Sequence, residues 1–276
     1  MSLSCIWGCL KRKSTVVEAL ETTTYSANGH PRQDISPHKN EHLSIKDSAI
    51  IIKEILLCAE FFMFEEITKK INDAKIIPVV KLESLDDALH AAEALLKGGI
   101  KNIEITFRTL HGSEGFSKIS ECISCVCKEF PQMLVAAGTV INPDLAKKAK
   151  DAGAQFLFSP GFNPATVDWC VQNSMPIFPG VNSPSQIEQA LQKNLSVLKF
   201  FPAEISGGTK MLKALSGPFP QVSFIPTGGI NEENKKLYLN CKNVIALCGS
   251  WMISEDLIKE KNWNRITELS RQAIAL

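Results

Sequence analysis

The chain has 276 residues, of which 45% are hydrophobic and 21% charged, and its formal net charge is +1. This is a globular composition, long enough for one large domain or two small ones, and the near-neutral balance argues against a nucleic-acid or membrane-surface partner. The most apolar stretch, residues 49–64, is interrupted by Lys53, Glu54 and Glu60, so it predicts no bilayer span.

In chain order, the opening "MSLSCIWGCLKRKS" places its basic residues after a very short apolar piece, the wrong order for a secretory signal. Residues 14–48 are polar, rich in Ser, Thr, Asn and His, and show no sustained period. Glu18, Glu21 and Asp34 carry the wrong charge for a transit peptide. Residues 1–62 therefore read as a largely disordered N-terminal extension, and residues 63–276 as the folded domain. That domain opens with the helical "MFEEITKKINDAK" at Met63, which is a candidate for an original start position.

From residue 76 a short apolar strand, a turn and an amphipathic helix recur eight times. The strands are "IIPVVKL" (76–82), "NIEITF" (102–107), "LVAAGTV" (134–140), "FLFSPG" (156–161), "PIFPGV" (176–181), "VLKFFPA" (197–203), "SFIPTGG" (223–229) and "VIALCGS" (244–250). Helical segments such as "SLDDALHAAEALLKGG" and "NPDLAKKAKDAG" lie between them, opened by Ser or Asn and several closed by Gly. Alternating strands and helices imply parallel pairing with right-handed crossovers, and eight such units predict an α/β fold of the closed (β/α)8, or TIM barrel, type. The rival open doubly wound sheet lacks support, because no G-x-G-x-x-G follows the first strand.

Of nine cysteines, only Cys122, Cys125 and Cys127 cluster. No second ligand pair follows at zinc spacing, whereas Phe116, Ile119, Ile123, Val126 and Phe130 mark a helix that the cysteines fill as small hydrophobes. The expectation is no metal site, and a reducing cytoplasm as the compartment.

Strand alternation then selects a polar set. Glu104, Thr106 and Arg108 share one phase of the second strand, while Ile103, Ile105 and Phe107 take the other. In the sixth strand an otherwise apolar run contains Lys199. Packing the apolar phase against helices would turn an amine, a carboxylate and a guanidinium into one lumen. An inner salt-bridge layer is one reading of this set, although buried pairs stabilise poorly. The other is an activated amine: desolvation and a neighbouring arginine both favour the neutral form, which attacks ketones to give a Schiff base while a carboxylate moves protons. Glycines in "PTGGI" (226–230) and "CGSW" (248–251), after strands seven and eight, let backbone N–H groups approach an anion at the usual phosphate position of this fold, and "SGG" (206–208) adds a third glycine-rich loop.

With these residues assembled, the chain from about residue 76 to its end resembles the 2-keto-3-deoxy-6-phosphogluconate (KDPG) and 2-keto-4-hydroxyglutarate (KHG) aldolases. The resemblance rests on "IEITFRT", "AAGTV", "SPG", "PGV", "LKFFPAE", "GPFPQVSFIPTGGI" and "GSW". It implies a class I lyase that cleaves the phosphorylated keto acid to pyruvate and glyceraldehyde 3-phosphate, in the Entner–Doudoroff manner. It also implies that Lys199 forms the Schiff base and Glu104 acts as general acid and base. Arg108 and Thr139 would hold the pyruvyl carboxylate, Gly228, Gly229 and Ser250 the phosphate, and Pro160 and Phe201 would line the pocket. No cofactor beyond the covalent lysine adduct is implied. The implied partner is a small 2-keto acid, with neither nucleic acid nor membrane, and the protein would be a homo-oligomer, a trimer by analogy.

The alternatives are an aldolase for unphosphorylated 4-hydroxy-2-oxoglutarate, another phosphate-binding barrel such as a thiamine phosphate synthase, and a noncatalytic barrel. Lys81, at the end of the first strand, is a rival for the Schiff-base lysine, but the more apolar surroundings of Lys199 favour the latter. Cys248 stands where relatives often have Gly and is expected to narrow the phosphate loop. "NSPSQ" (182–186) departs from the family pattern after strand five, which leaves substrate preference open there.

Overall fold

The computed structural model describes residues 62–275, so the reading of residues 1–61 as an extension lies outside the described residues. One compact unit spans Glu66–Leu276. A helix, α1, occupies residues 62–74. After it come β1 (Ile76–Val80), α2 (Leu85–Lys97), β2 (Asn102–Thr106), α3 (Gly112–Glu129), β3 (Leu134–Gly138), α4 (Pro143–Asp151), β4 (Phe156–Phe158) and α5 (Pro164–Gln172). The order continues with β5 (Ile177–Phe178), β6 (Gly180–Val181), α6 (Pro184–Gln192), β7 (Val197–Phe200), α7 (Gly208–Leu215), β8 (Ser223–Pro226), α8 (Lys235–Leu239), β9 (Leu247–Gly249), α9 (Glu255–Lys259) and α10 (Trp263–Ile274).

All ladder pairings are parallel, in the orders β5-β4-β3-β2-β1-β9 and β6-β7-β8. β5 and β6 are two halves of the predicted fifth strand. Pro179 separates them because proline has no N–H to give to a ladder; its carbonyl still accepts from Lys199 N at 3.0 Å. Between β8 and β9 the ring closes through bridges at Phe224–Val244 and Thr227–Cys248. Counting β5 and β6 as one, the fold is the expected (β/α)8 barrel, with regular strands shorter than the apolar runs suggest. The polar or glycine-rich ends of those runs leave the ladder and become the loops of one face.

Local chemistry sets the helix starts. Ser84 Oγ accepts from Asp87 N at 3.3 Å, and Asn142 Oδ1 accepts from Leu145 N at 2.9 Å. Asn142, Asn163 and Ser183 each precede a proline in the first helical turn, where the missing N–H costs nothing. In "NSPSQ", Gln186 Oε1 reaches back to Asn182 N at 2.8 Å, so that stretch serves as a helix start. In α3, Ile119, Cys122, Ile123 and Val126 form the buried face, and burial pushes the Cys122 thiol up to about 12. Lys235, in α8, is also buried. Its nitrogen donates to Gln272 O at 2.7 Å and Ala273 O at 3.0 Å and pairs with Glu232 at 2.7 Å, tying down the carbonyl end of α10. Among the described residues no helix is long and apolar enough to cross a membrane.

Candidate active site

Ladder partners point the same way, so the register Gly180–Lys199–Ile225 aims Lys199 into the lumen. Likewise Val79–Glu104–Ala136 aims Glu104 inward from β2. The two meet: Lys199 Nζ lies 3.0 Å from Glu104 Oε1 and 3.4 Å from Oε2. Their side chains are only 6% and 1% exposed, so the pair is sealed from bulk water on nearly every side. Beneath it, Phe156, Phe158 and Phe178 pack with ring centroids 5.4 to 5.7 Å apart, forming an aromatic floor. Lys199 Nζ stands 4.7 Å above the Phe158 centroid and 5.8 Å from that of Phe201. Glu104 fits because Gly138 has no side chain; a Cβ there would lie 2.1 Å from Oε1.

This pair forms the base of a cavity of about 250 Å³, and every predicted site residue lines it. Thr139, just past β3, has φ 59°, a left-handed conformation that a β-branched residue adopts only under constraint. Pro160 and Phe201 form wall positions after β4 and β7. Gly228 (φ 98°) and Gly229 (φ 79°) bend the loop after β8, where their positive φ requires glycine. Ser250 is exposed on the rim after β9. Arg108 departs from its expected place inside the lumen. It lies beyond the last residue of β2, exposed at the mouth, with Nε donating to Thr106 Oγ1 at 3.2 Å. The chain leaves the ladder before residue 108, so strand phase no longer controls that side chain. At the mouth the guanidinium is available to a ligand rather than to the amine below.

Thr106 and Thr227 also line the cavity. The phase of Thr106 already marked it, whereas Thr227, which directly precedes the glycine pair, is a polar lining residue that sequence reasoning missed, along with Val79, Ile230 and Gly249. Lys81, the rival lysine, lies beyond β1, is absent from the lining and pairs with Glu83 at 3.4 Å. A larger cavity of about 410 Å³ opens at the opposite end, around Asn102 and Leu134, the first residues of β2 and β3. Chemistry rather than size selects the smaller one: Lys70, Lys101 and Asp73 line the larger cavity, but the smaller holds a buried amine and acid in direct contact, Lys199 with Glu104 at 3.0 Å. Among the described residues no group of three or more His, Cys, Asp or Glu is arranged to hold a metal.

The family model for KDPG and KHG aldolases matches residues 67–269. The chain belongs to the KDPG and KHG aldolase family. It is 42% identical over 210 residues to the 2-dehydro-3-deoxy-phosphogluconate aldolase of Haemophilus influenzae, covering 76% of this chain and 96% of the relative. It is 37% identical over 199 residues to the KHG/KDPG aldolase of Escherichia coli, covering 72% of this chain and 90% of that one. Among solved structures it is similar to KDPG aldolase from Legionella pneumophila with pyruvate captured at low pH as a covalent carbinolamine intermediate. That match has 41% identity and a TM-score of 0.68, and covers 72% of this chain and 93% of the other.

Two expected departures from the aldolase pattern find different places in this member. Cys248 sits fully buried on β9, opposite Ile77, and lines the same cavity as Lys199 and Glu104. Burial first, and the Glu104 charge second, push its thiol upward, so it is a neutral wall group. The residues of "NSPSQ" are absent from the cavity lining.

Proposed function

We propose that this chain is a class I aldolase that reversibly cleaves 2-keto-3-deoxy-6-phosphogluconate to pyruvate and glyceraldehyde 3-phosphate. The observation that carries the reading is the buried contact of Lys199 Nζ with Glu104 Oε1 at 3.0 Å, at the base of a cavity rimmed by glycine-rich loops. As free amine, with its proton passed to the carboxylate, Lys199 attacks the C2 ketone. Glu104 returns that proton to the developing alkoxide to give the carbinolamine, and then helps expel water to leave the iminium. Glu104 next takes the C4 hydroxyl proton. The C3–C4 bond breaks, its electron pair flows into the iminium, and glyceraldehyde 3-phosphate departs. The remaining enamine is protonated at C3 and hydrolysed, releasing pyruvate and the free lysine. The iminium is the electron sink, so the scheme invokes no metal or cofactor.

In this scheme Arg108 and Thr139 hold the pyruvyl carboxylate at the mouth. Gly228, Gly229 and Ser250 cradle the phosphate, and Pro160 and Phe201 wall the carbon chain. The strained Thr139 backbone and the charge of Arg108 support the carboxylate position, and the two left-handed glycines support the phosphate position. The name of the Escherichia coli relative favours a second substrate, 4-hydroxy-2-oxoglutarate, cleaved to pyruvate and glyoxylate by the same pair. The proposal further takes residues 63–276 as the catalytic domain and residues 1–62 as an extension without catalytic residues. By family analogy it places the enzyme as a cytoplasmic trimer of carbohydrate metabolism, in the Entner–Doudoroff sequence.

The test is chemical. The full chain is incubated with pyruvate, reduced with borohydride, digested and read by mass spectrometry. An adduct on Lys199 is expected. A folded protein without one, or with the adduct on Lys81, would sink the assignment.

A further inference from the structure

The loop after β8 is held from behind by groups that do not line the cavity. Thr227 O accepts from Ala203 N at 2.8 Å, Gly228 O from Glu204 N at 3.1 Å, and Gly229 O from Asn234 Nδ2 at 2.8 Å. In a trans peptide the N–H points opposite to the C=O of the same plane. Anchoring these three carbonyls therefore turns the amides of Gly228, Gly229 and Ile230 the other way, and all three residues line the cavity. Among the described residues these three amides donate to no backbone carbonyl. Three successive free N–H groups on one side make an anion nest.

What fixes the glycines, which adopt either sign of φ freely, is a strut. The stem of Glu204 presses on Gly229, where an added Cβ would meet Glu204 Cγ at 2.5 Å. The Glu204 carboxylate accepts a hydrogen bond from the hydroxyl of Tyr238, whose side chain is buried on α8. That bond also abuts Gly208, the first residue of α7, where an added Cβ would stand 3.1 Å from the Tyr238 hydroxyl and 3.4 Å from Glu204 Oε1. Burial first, and Glu204 second, hold the Tyr238 phenol above its ordinary range, so it remains the donor. The glycine turns after β7 and β8 are thus clamped together through one hydrogen bond.

We propose that Glu204 and Tyr238 are positioning residues that set the affinity of the glycine loop for a phosphorylated aldol substrate, with no part in the pyruvate half of the reaction. The proposal rests on the function assigned above. It differs from a general structural role because it separates the two halves of the substrate.

The test uses the full chain and two variants, Tyr238→Phe and Glu204→Gln. Losing one hydrogen bond to a charged group predicts a KM for the phosphorylated keto acid, and a Kd for inorganic phosphate, raised on the order of 10-fold in Tyr238→Phe. The value of kcat and the yield of borohydride-trapped pyruvate on Lys199 are expected to stay at the wild-type level. Glu204→Gln should shift the same two constants less. Equal loss of phosphate-dependent and pyruvate-dependent readouts, or no change in either constant, overturns the strut. If Tyr238→Phe fails to fold, the exposed Glu204→Gln carries the same measurements. If wild-type protein traps no pyruvate, the aldolase assignment falls. The phosphate affinities of wild type and variant then still decide the strut, which an unchanged Kd removes.

Discussion

Among the described residues two lysines are almost completely buried, and their surroundings differ in kind. Lys235 is 1% exposed, and its nitrogen meets four oxygens: the carbonyls of Gln272, Ala273 and Ala275 and the carboxylate of Glu232. An ammonium has three hydrogens to give, so that site is saturated and works as a tie between α8 and α10. Lys199 is 5% exposed, and its hydrogen bonds go to the two oxygens of a single carboxylate. Its remaining surroundings are aromatic rings and a cavity. Burial alone therefore does not make a lysine reactive. What matters is how many acceptors accompany it, and whether one of them can take its proton.

Exchanging the two positions breaks the comparison most sharply. Lys199→Ala should abolish both borohydride trapping and turnover while circular dichroism still reports a folded barrel. Lys235→Ala should trap pyruvate normally yet lose about 2 kcal/mol of stability in a denaturant melt, because buried carbonyls lose their donor. Trapping lost in the second variant and kept in the first would reverse the assignment.

The acid beside the amine comes next. Glu104→Gln keeps the shape but cannot move the proton, and kcat should fall ~10²–10⁴-fold in a steady-state assay. Gly138→Ala sharpens the geometric side of the same claim. Its new methyl would stand 2.1 Å from Glu104 Oε1, and displacing that carboxylate by about 1 Å should cost on the order of 10²-fold in kcat. A Gly138→Ala variant at full activity would show that the acid need not occupy its observed place.

The smallest effect lies away from both lysines. Burial pushes the thiols of Cys127 to about 11 and of Cys122 and Cys170 to about 12, above their reference value of 9.0. Between those limits the unfolded chain has released protons that the native one keeps. Stability from these groups is therefore complete below pH 9 and is lost as pH rises toward 11 and 12. Urea melts at pH 8 and pH 10.5 should show the midpoint falling; a constant midpoint would contradict the burial of these thiols.

The pattern of residues was sufficient for the architecture, because strand alternation and capped amphipathic helices are local signals. It also sufficed to single out Lys199 and Glu104, since a lysine within Val197–Phe200 and an acid in phase within Asn102–Thr106 break an apolar rule that neighbouring residues obey. Lys235 gave no such signal: in "EENKKLYL" it looks like any charged helix residue, and its four acceptors lie on another helix or one turn away. The outward place of Arg108, the strut between Glu204 and Tyr238 and the lumenal seat of Cys248 were likewise set by tertiary structure. Each depends on where a chain leaves its ladder or on which distant element packs against it. Periodicity within one strand or helix determines which way a side chain faces, whereas only the closed ring determines what it faces.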